Sequence, residues 1–499
     1  MSTPHGQTAN PVEPDHQVII VGAGFGGLCM AMRLQQAGEQ RFVVLEKGAD
    51  VGGTWRVNTY PGCACDVPSH LYSFSFEPRA DWSRMYSPQP EIWDYLRHCV
   101  DKHGLRSKIQ FNCALAQADF DEAHHIWRIR TVDGQTLTAR CLVTAMGGLS
   151  RPAIPVIPGI ERFEGAAFHS AQWDSGFDFK GKRVAVIGTG ASAIQFVPQL
   201  QKVVAQLHVV QRTPPWVLPK MDRPITDAER RWMHRLPLYR QLFRWWIYWR
   251  QEIQAIGFTL RPAWMDWVQT LGLRFMKKNI KNPSLRSLLT PDYRIGCKRI
   301  LLSNDYYPAL AQPNVTVHPA SGMGGVGTKG ILIDGQEQPV DAIIYGTGFR
   351  ATDLYTPLKF MGRGGVDLND TWAATGLQAY QGTLVAGYPN LFLLLGPNTG
   401  LGHNSIIFII EAQVNYILRC IRSMKAQGQT AIEVTPQAQT SYNQEVQKRT
   451  QGTVWGSGCK SWYLDAAGRN VTLWPGFTFS YWWRTLRLRR QDLRWSRAA

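Results

Sequence analysis

The sequence predicts an α/β fold in which two βαβ units share one chain of 499 residues. Three observations carry this prediction. An apolar strand runs into a glycine-rich turn at Gly22 and on into an amphipathic helix, the order of a dinucleotide-binding unit. The same order recurs at Gly188. The chain is also too long for one ordinary core, so two or three domains are expected.

The composition indicates what kind of protein this is and which partners its charge allows. With 44% hydrophobic and 18% charged residues the chain is globular. Its net charge of +17 is compatible with nucleic acid, an anionic membrane surface or phosphorylated cofactors, and composition alone does not choose. The amino terminus has no secretory pattern, and no apolar run reaches the length of a membrane span. The nine cysteines do not form a disulfide framework or a CxxC pair, so we expect a reducing cytoplasm.

The first unit has the complete fingerprint for an adenine dinucleotide. Gly22, Gly24 and Gly27 form GxGxxG, and the following strand ends at Glu46. The glycines allow a tight turn and close approach of a pyrophosphate to a helix N-terminus. The carboxylate of Glu46 is placed to accept hydrogen bonds from ribose hydroxyls. The alternative is a glycine-rich turn that only lets a helix pack close to a sheet. It does not explain the strand before the turn and the acid after it.

The second unit predicts a phosphorylated nicotinamide cofactor. Gly188, Gly190 and Ala193 form the turn, but the next strand ends in Arg212 and Thr213 in place of an acid. A cation and a hydroxyl suit a ribose 2′-phosphate, so the site is expected to prefer NADP to NAD. The order of the two units therefore predicts a bound FAD that NADPH reduces.

The predicted domains interleave along the chain. "CLVTAMGG" from Cys141 and "DAIIYGTGF" from Asp341 are apolar strands that run into small-residue turns, typical of crossings between domains. The predicted segments are a flexible tail at 1–14, a discontinuous FAD-binding domain at 15–147 and 349–499, and an NADP-binding domain at 148–348 with a helical insertion at about 216–294.

Two long motifs carry a family resemblance. FxGxxxHxxxW followed by Asp is matched by Phe163, Gly165, His169, Trp173 and Asp174, and GxWxxxxYPGxxxD by Gly53, Trp55, Tyr60, Pro61, Gly62 and Asp66. Over nearly its whole length the chain resembles the class B flavoprotein monooxygenases, and within them the type I Baeyer-Villiger monooxygenases. The resemblance implies that NADPH reduces FAD and that O2 forms a C4a-peroxyflavin, which converts ketones into esters or lactones. The alternative is a flavin monooxygenase that oxygenates amines or sulfides.

The resemblance also assigns the catalytic residues. Arg299 matches the arginine that faces the peroxide, and Lys298 would join Arg212 at the 2′-phosphate. Arginine suits this position because it does not readily protonate an anionic oxidant. Asp66 would lie beside Arg299 and orient it. His169 is expected to be a buried residue at a domain junction and not a proton carrier.

The remaining site predictions concern cofactor contacts. Trp462 matches a tryptophan that closes over NADP, and the resemblance puts His403 and Asn404 near the isoalloxazine. No metal is expected. The predicted cofactor-binding residues are Gly22, Gly24, Phe25, Gly27, Glu46, Lys47, Thr54, Trp55, Asp66, Tyr72, Gly188, Thr189, Gly190, Ala191, Ser192, Arg212, Thr213, Lys298, Arg299 and Trp462.

Two basic, aromatic segments, one in the insertion and one near the C-terminus, leave two interpretations open. "YRQLFRWWIYWRQEIQ" and the later "YWWRTLRLRRQDLRW" are interpreted as solvated helices, with a membrane-surface helix as the rival interpretation. The expected partners are a small ketone and O2, with no nucleic acid, no transmembrane segment and a peripheral membrane contact left open. The sequence does not predict the oligomeric state or the natural ketone.

Overall fold

The computed structural model describes residues 13–353, 355–458 and 461–498, so most of the predicted tail at 1–14 lies outside the described residues. The strands are β1 (His16–Val21), β2 (Phe42–Leu45), β3 (Ile109–Gln110), β4 (Leu115–Asp121), β5 (Ile126–Thr131), β6 (Thr136–Thr144), β7 (Ala166–His169), β8 (Arg183–Ile187), β9 (Gln206–Gln211), β10 (Val217–Leu218), β11 (Leu301–Leu302), β12 (Val315–Pro319), β13 (Met323–Val326), β14 (Gly330–Ile333), β15 (Gln336–Pro339), β16 (Ala342–Tyr345), β17 (Lys359–Met361), β18 (Leu391–Leu393), β19 (Ala431–Val434) and β20 (Leu493–Ser496). The helices are α1 (Phe25–Gln36), α2 (Thr54–Val57), α3 (Gln89–Lys102), α4 (Ala193–Gln201), α5 (Asp227–Arg235), α6 (Pro237–Ile253), α7 (Trp264–Asn279), α8 (Pro283–Leu289), α9 (Tyr306–Leu310), α10 (Leu368–Thr375), α11 (Ile406–Ala426), α12 (Pro436–Gln451) and α13 (Thr478–Thr485).

The first sheet has the strand order β17-β4-β5-β6-β1-β2-β3, and β18 also pairs with β6. Strands β6, β1, β2 and β3 run parallel, whereas β4 and β5 are antiparallel to their neighbours in the β4-β5-β6 run. The last four residues of β1 are buried, as expected for a parallel strand covered on both faces. The strands of this sheet come from two separate parts of the chain, residues 16–144 and 359–393.

The second sheet has the order β12-β9-β8-β16-β7, and all its neighbouring pairs are parallel. β8, the glycine turn at Gly188, α4 and β9 follow each other as the sequence predicts. The predicted α/β architecture with two Rossmann-like units is confirmed. The numerical domain bounds stay a prediction.

Four helices, α5 to α8, lie in the chain between β10 and β11, which pair with each other. Helix α5 has a capping box, because the Thr226 hydroxyl and the Glu229 carboxylate satisfy each other's backbone amides. Helix α6 buries Arg244 and Glu252, which is unusual for charged side chains.

Among the described cysteines, Cys63 and Cys65 agree with the expectation of free thiols, and Cys297 does not. Cys63 and Cys65, in the YPG motif, are buried free thiols, as their CxC spacing suggests. Cys297 is disulfide-bonded, although the sequence gives no sign of a framework. Within the described ranges no helix is long and apolar enough to cross a membrane.

Candidate active site

At the first glycine turn, Gly22 and Gly27 pack closely against neighbouring backbone carbonyl groups. Gly22 has a φ of +104°, and a Cβ there would come within 2.7 Å of the Ala145 carbonyl oxygen at the end of β6. A Cβ on Gly27 would meet the Gly22 carbonyl oxygen at 1.8 Å. Only glycine fits either position. The turn opens into the N-terminus of α1, where backbone N–H groups attract an anion.

Glu46 lies against this turn, as the sequence predicts. Its side chain is buried, and its two oxygens accept hydrogen bonds of 2.8 Å from the N–H groups of Ala23 and Gly48. The carboxylate is therefore held at the carboxyl end of β2, beside the glycine turn. Lys47 follows it and is exposed.

Three aromatic side chains, Phe25, Trp55 and Tyr72, lie next to the first glycine turn. The Phe25 ring makes an edge contact with Tyr72 at 5.2 Å between centroids, and Trp55 donates its indole N–H to the Tyr72 oxygen at 3.1 Å. Thr54 begins helix α2 just before Trp55. The ideal Cβ of Gly53 would lie 3.1 Å from the Gly24 Cα, so the second family motif starts in contact with the first glycine turn.

The second glycine turn repeats the geometry of the first. Gly188 also has a φ of +104°, and its Cβ would meet the Gly346 carbonyl oxygen at 2.5 Å, at the end of β16. Thr189 donates to the Thr213 carbonyl oxygen at 3.3 Å. Gly190, Ala191 and Ser192 lead into helix α4.

Two basic residues share the region beyond β9. Arg212 is exposed directly after this strand. Burial lowers the pKa of Lys298, and the like charge of Arg212 lowers it further. The Lys298 ammonium lies 4.5 Å from the Tyr293 ring centroid, a cation–π arrangement. The structure thus brings together two cations that are far apart in sequence.

Asp66 and Arg299 form an ion pair across 233 residues of chain. The Arg299 Nε donates to Asp66 Oδ2 at 3.1 Å, and Nη2 donates to the same oxygen. Burial alone would raise the pKa of Asp66, but the charge and hydrogen bond of Arg299 lower it below its ordinary value. Asp66 in turn raises the pKa of Arg299. Both side chains keep about a third of their surface open, 37% for Arg299 and 30% for Asp66, so a ligand could reach the pair.

Two neighbours of this pair are absent from the predicted set. Burial raises the pKa of Tyr463 to about 12, although the positive charge of Arg299 opposes the shift. Tyr463 contacts the predicted Trp462, with ring centroids 4.6 Å apart, and Trp462 is about half exposed. Burial lowers the pKa of Lys220, and Asp66 is among the carboxylates that oppose this effect. The aromatic pair in "KSWYLD" was the only sequence signal for Tyr463.

The FxGxxxHxxxW segment joins the two units. Trp173 contacts Tyr60 of the other motif at 6.5 Å and Phe196 of α4 at 5.5 Å, measured between ring centroids. The Tyr60 hydroxyl donates to Gln195 of α4 at 3.0 Å. His169 is fully buried, and its Nδ1 accepts the Ala171 N–H at 3.1 Å. These contacts fit a packing role for His169 at the junction.

A buried carboxylate holds the loop that contains His403 and Asn404. The Asn404 amide donates to Glu252 Oε2 at 2.6 Å, and His403 Nε2 lies 3.5 Å from the same oxygen. Glu252 also accepts the N–H and hydroxyl of Thr478 at the start of α13. Sequence reasoning missed Glu252, although it is the single acid in α6.

Relatives of known class share this architecture. A family model described as Pyridine nucleotide-disulphide oxidoreductase matches residues 19–226. A Baeyer-Villiger monooxygenase of Pseudomonas aeruginosa is 52% identical over 478 residues, 95% of this chain and 90% of the relative. The chain belongs to the Baeyer-Villiger monooxygenase family. A second such relative, from Streptomyces coelicolor, is 48% identical over 96% of this chain and 91% of its own length.

Solved structures agree with this assignment to the Baeyer-Villiger monooxygenases. An oxidised steroid monooxygenase bound to NADP superposes with a TM-score of 0.86 at 31% identity, covering 96% of this chain and 99% of that one. OTEMO in complex with FAD and NADP gives 0.87 at 26% identity, covering 97% and 100%. The resemblance stated from the two motifs is therefore confirmed.

Proposed function

We propose that this Baeyer-Villiger monooxygenase uses FAD, NADPH and O2 to convert a ketone into an ester or lactone. In the balanced reaction, ketone, O2, NADPH and a proton give ester, NADP⁺ and water. The observation that carries the proposal is the Arg299–Asp66 pair. Asp66 ends a motif that contacts the first glycine turn at Gly24 and helix α4 of the second unit at Gln195. The proposed FAD-binding domain comprises 15–147 and 349–499, and the proposed NADP-binding domain comprises 148–348.

The residues of the first unit fit FAD. The turn from Gly22 to Gly27 suits a pyrophosphate against α1, because only glycines let the backbone turn this tightly at the helix N-terminus. Glu46 is ionisable, buried and already in hydrogen-bond contact with the turn, so it is placed for ribose hydroxyls. When bound, FAD supplies the redox chemistry that takes up hydride and activates O2. We assign the aromatic group of Phe25, Trp55 and Tyr72 to the wall of this site.

The residues of the second unit fit NADPH. Gly188 provides the same backbone approach, and Arg212 with Lys298 provides two positive charges for a 2′-phosphate. A 2′-phosphate would neutralise the repulsion that lowers the pKa of Lys298. NADH has no group to do so, which is the physical reason for the proposed preference.

Arg299 is proposed as the catalytic cation. Its guanidinium is held by Asp66 through two donors, so its orientation is set before substrate arrives. The raised pKa keeps it charged, and it therefore stabilises negative charge on a reacting oxygen without giving up a proton. Asp66 limits the net positive charge of the pair when a nicotinamide cation lies nearby.

Product analysis tests the proposal against the alternative. The FAD-loaded protein is given NADPH, isotopically labelled O2 and, separately, a linear ketone, a cyclic ketone, a thioether and a tertiary amine. We expect one labelled oxygen in an ester or lactone. Sulfoxide or amine oxide without any ester from a broad ketone panel would favour the amine or sulfide oxygenase. A cytoplasmic location stays a prediction.

A further inference from the structure

Helix α6 presents a row of large apolar side chains to solvent. Leu238, Leu242, Trp245, Trp246, Trp249 and Ile253 are all exposed, and at 3.6 residues per turn they share one arc of about 100°. Leu238 is 71% exposed and Leu242 is 59% exposed. An ordinary surface helix turns such an arc toward the core. Here this apolar arc faces outward, and the helix instead buries two charged side chains, Arg244 and Glu252, together with Ile247 and Tyr248.

The inward charges explain the orientation of the helix. Arg244 donates to the carbonyl oxygens of His70 and Ser73, and Glu252 accepts from Asn404 and Thr478. Turning α6 over would leave these buried partners unpaired, which is strongly unfavourable. The outward position of the tryptophans is therefore held by the protein and is not a loose packing choice.

The exposed arc continues onto a second helix. The Trp249 and Phe479 rings lie 6.2 Å apart between centroids, and Phe479 belongs to α13. Trp482 and Trp483 of α13 are exposed as well, Trp483 by 71%. We call the exposed apolar residues of α6 and α13 together the tryptophan face. Contiguous apolar surface of this kind marks an interaction site, unlike scattered single residues.

The charged side chains on and next to α6 and α13 in sequence are mostly arginines. Arg250 lies over Trp246 at 5.1 Å, and α13 is followed by a run of exposed arginines. Helices α6 and α13 carry one acid between them, the buried Glu252. The acids of α5 are ion-paired, Asp227 with Arg230 and Glu229 with Arg223. The exposed arginines of this run are Arg487, Arg489 and Arg490.

We propose that the tryptophan face docks on the surface of an anionic lipid bilayer. Tryptophan is suited to the boundary between headgroups and acyl chains, and flanking arginine is attracted to anionic lipid. A second copy of the chain would bring the same arginines together, at a net charge of +17 for each copy, so self-association is opposed. Glu252 of the same helix holds the His403–Asn404 loop, so docking would bring the bilayer close to that loop.

Vesicle sedimentation of the full-length holoenzyme tests the proposal. Vesicles of phosphatidylcholine alone are compared with vesicles containing about 30% phosphatidylglycerol. We expect partitioning at least about tenfold stronger on the anionic vesicles, and a several-fold loss between about 0.05 and 0.5 M NaCl. No binding, or equal binding to both vesicles, would overturn the proposal.

Paired variants locate the surface. Trp245→Gln, Trp246→Gln and Trp249→Gln combined should lower partitioning at least about tenfold with unchanged FAD content, since these side chains are exposed. Val132→Gln with Val156→Gln, which alters exposed apolar residues outside both helices, should change nothing. Retained binding by the tryptophan variant would contradict the assignment.

Charge variants give an independent readout should the tryptophan variant fold poorly. Replacing Arg487, Arg489 and Arg490 by Gln should abolish the preference for anionic vesicles, whereas replacing the exposed Lys180, Lys182 and Lys202 by Gln should preserve it. The opposite result would refute the proposal. A dimer in sedimentation velocity that the tryptophan variant dissociates, without vesicle binding, would show an interface between copies.

Discussion

Removing the Arg299 guanidinium is expected to stop ester formation while leaving the flavin site intact. Arg299→Ala deletes both donors to Asp66 Oδ2 but touches neither glycine turn. A preorganised cation beside developing negative charge is worth about 3–4 kcal/mol, which corresponds to a loss of about a hundred- to thousandfold in rate. Hydrogen peroxide should replace ester as the product of O2 reduction.

The structure also predicts that this variant folds. Truncating one member of a fully buried ion pair costs about 3–5 kcal/mol, but an exposed pair is worth about 0–1 kcal/mol. The Asp66 side chain keeps 30% of its surface open, so water partly screens the charge left behind. We expect a loss of about 1–2 kcal/mol in the free energy of unfolding, between those limits. The pKa of Asp66 should rise, because the charge that lowers it has gone.

The assay separates the steps and includes a matched arginine. Stopped-flow absorbance follows flavin reduction by NADPH and the later reaction with O2 and ketone, while gas chromatography measures ester. Arg183→Ala is the control, because Arg183 pairs with Asp341 at 2.9 Å at the amino end of β8, opposite the glycine turn. Ester formation by Arg299→Ala within about threefold of the unmodified rate would refute Arg299 as the catalytic cation.

Two further predictions concern pH. Because burial and Arg212 lower the pKa of Lys298 from 10.5, kcat/KM for NADPH should fall through an inflection below pH 10.5 that NADH does not show. Arg212→Ala should weaken NADPH preference about tenfold or more and move that inflection upward; an unmoved inflection would count against the shared phosphate site. For stability, burial and the nearby Arg244 and Arg240 lower the pKa of His70 to about 4, against only a weak opposing effect of Glu229. Since the unfolded chain binds this proton near pH 6.5, stability is lost as pH falls from 6.5 toward 4, by about 2 kcal/mol at pH 5. His70→Gln should flatten the fall in Tm between pH 7 and 5, and an unchanged slope would show that another group dominates.

The sequence predicted the features that local backbone geometry determines. Gly22 and Gly188 can be recognised because a strand, a tight turn and a helix follow one another within a few residues. Their shared φ of +104° and their contacts with the ends of β6 and β16 show how local the requirement is. The position of Glu46 follows equally from the length of one βαβ unit.

Contacts between residues that are far apart in sequence could not be predicted from local backbone geometry. Asp66 and Arg299 are 233 residues apart, and only the family resemblance related them. No spacing pattern in the sequence predicts that Tyr463 and Lys220 lie near the Arg299–Asp66 pair, because their position depends on how separate segments pack. The sequence equally gave no sign of the Cys297 disulfide.

The orientation of α6 shows why the ambiguity of the basic helices could not be resolved from sequence. Its residues alone fit either a solvated helix or a membrane-surface helix, because both present arginine and tryptophan. The decisive information lies in two buried charges of α6. The partners of Arg244 are at least 171 residues away in sequence, and those of Glu252 at least 151. With Arg244, Glu252, Ile247 and Tyr248 buried, Trp245 and Trp249 of the same helix remain exposed. One set of buried hydrogen bonds thus both holds the loop of the candidate active site and exposes the surface that we propose contacts lipid.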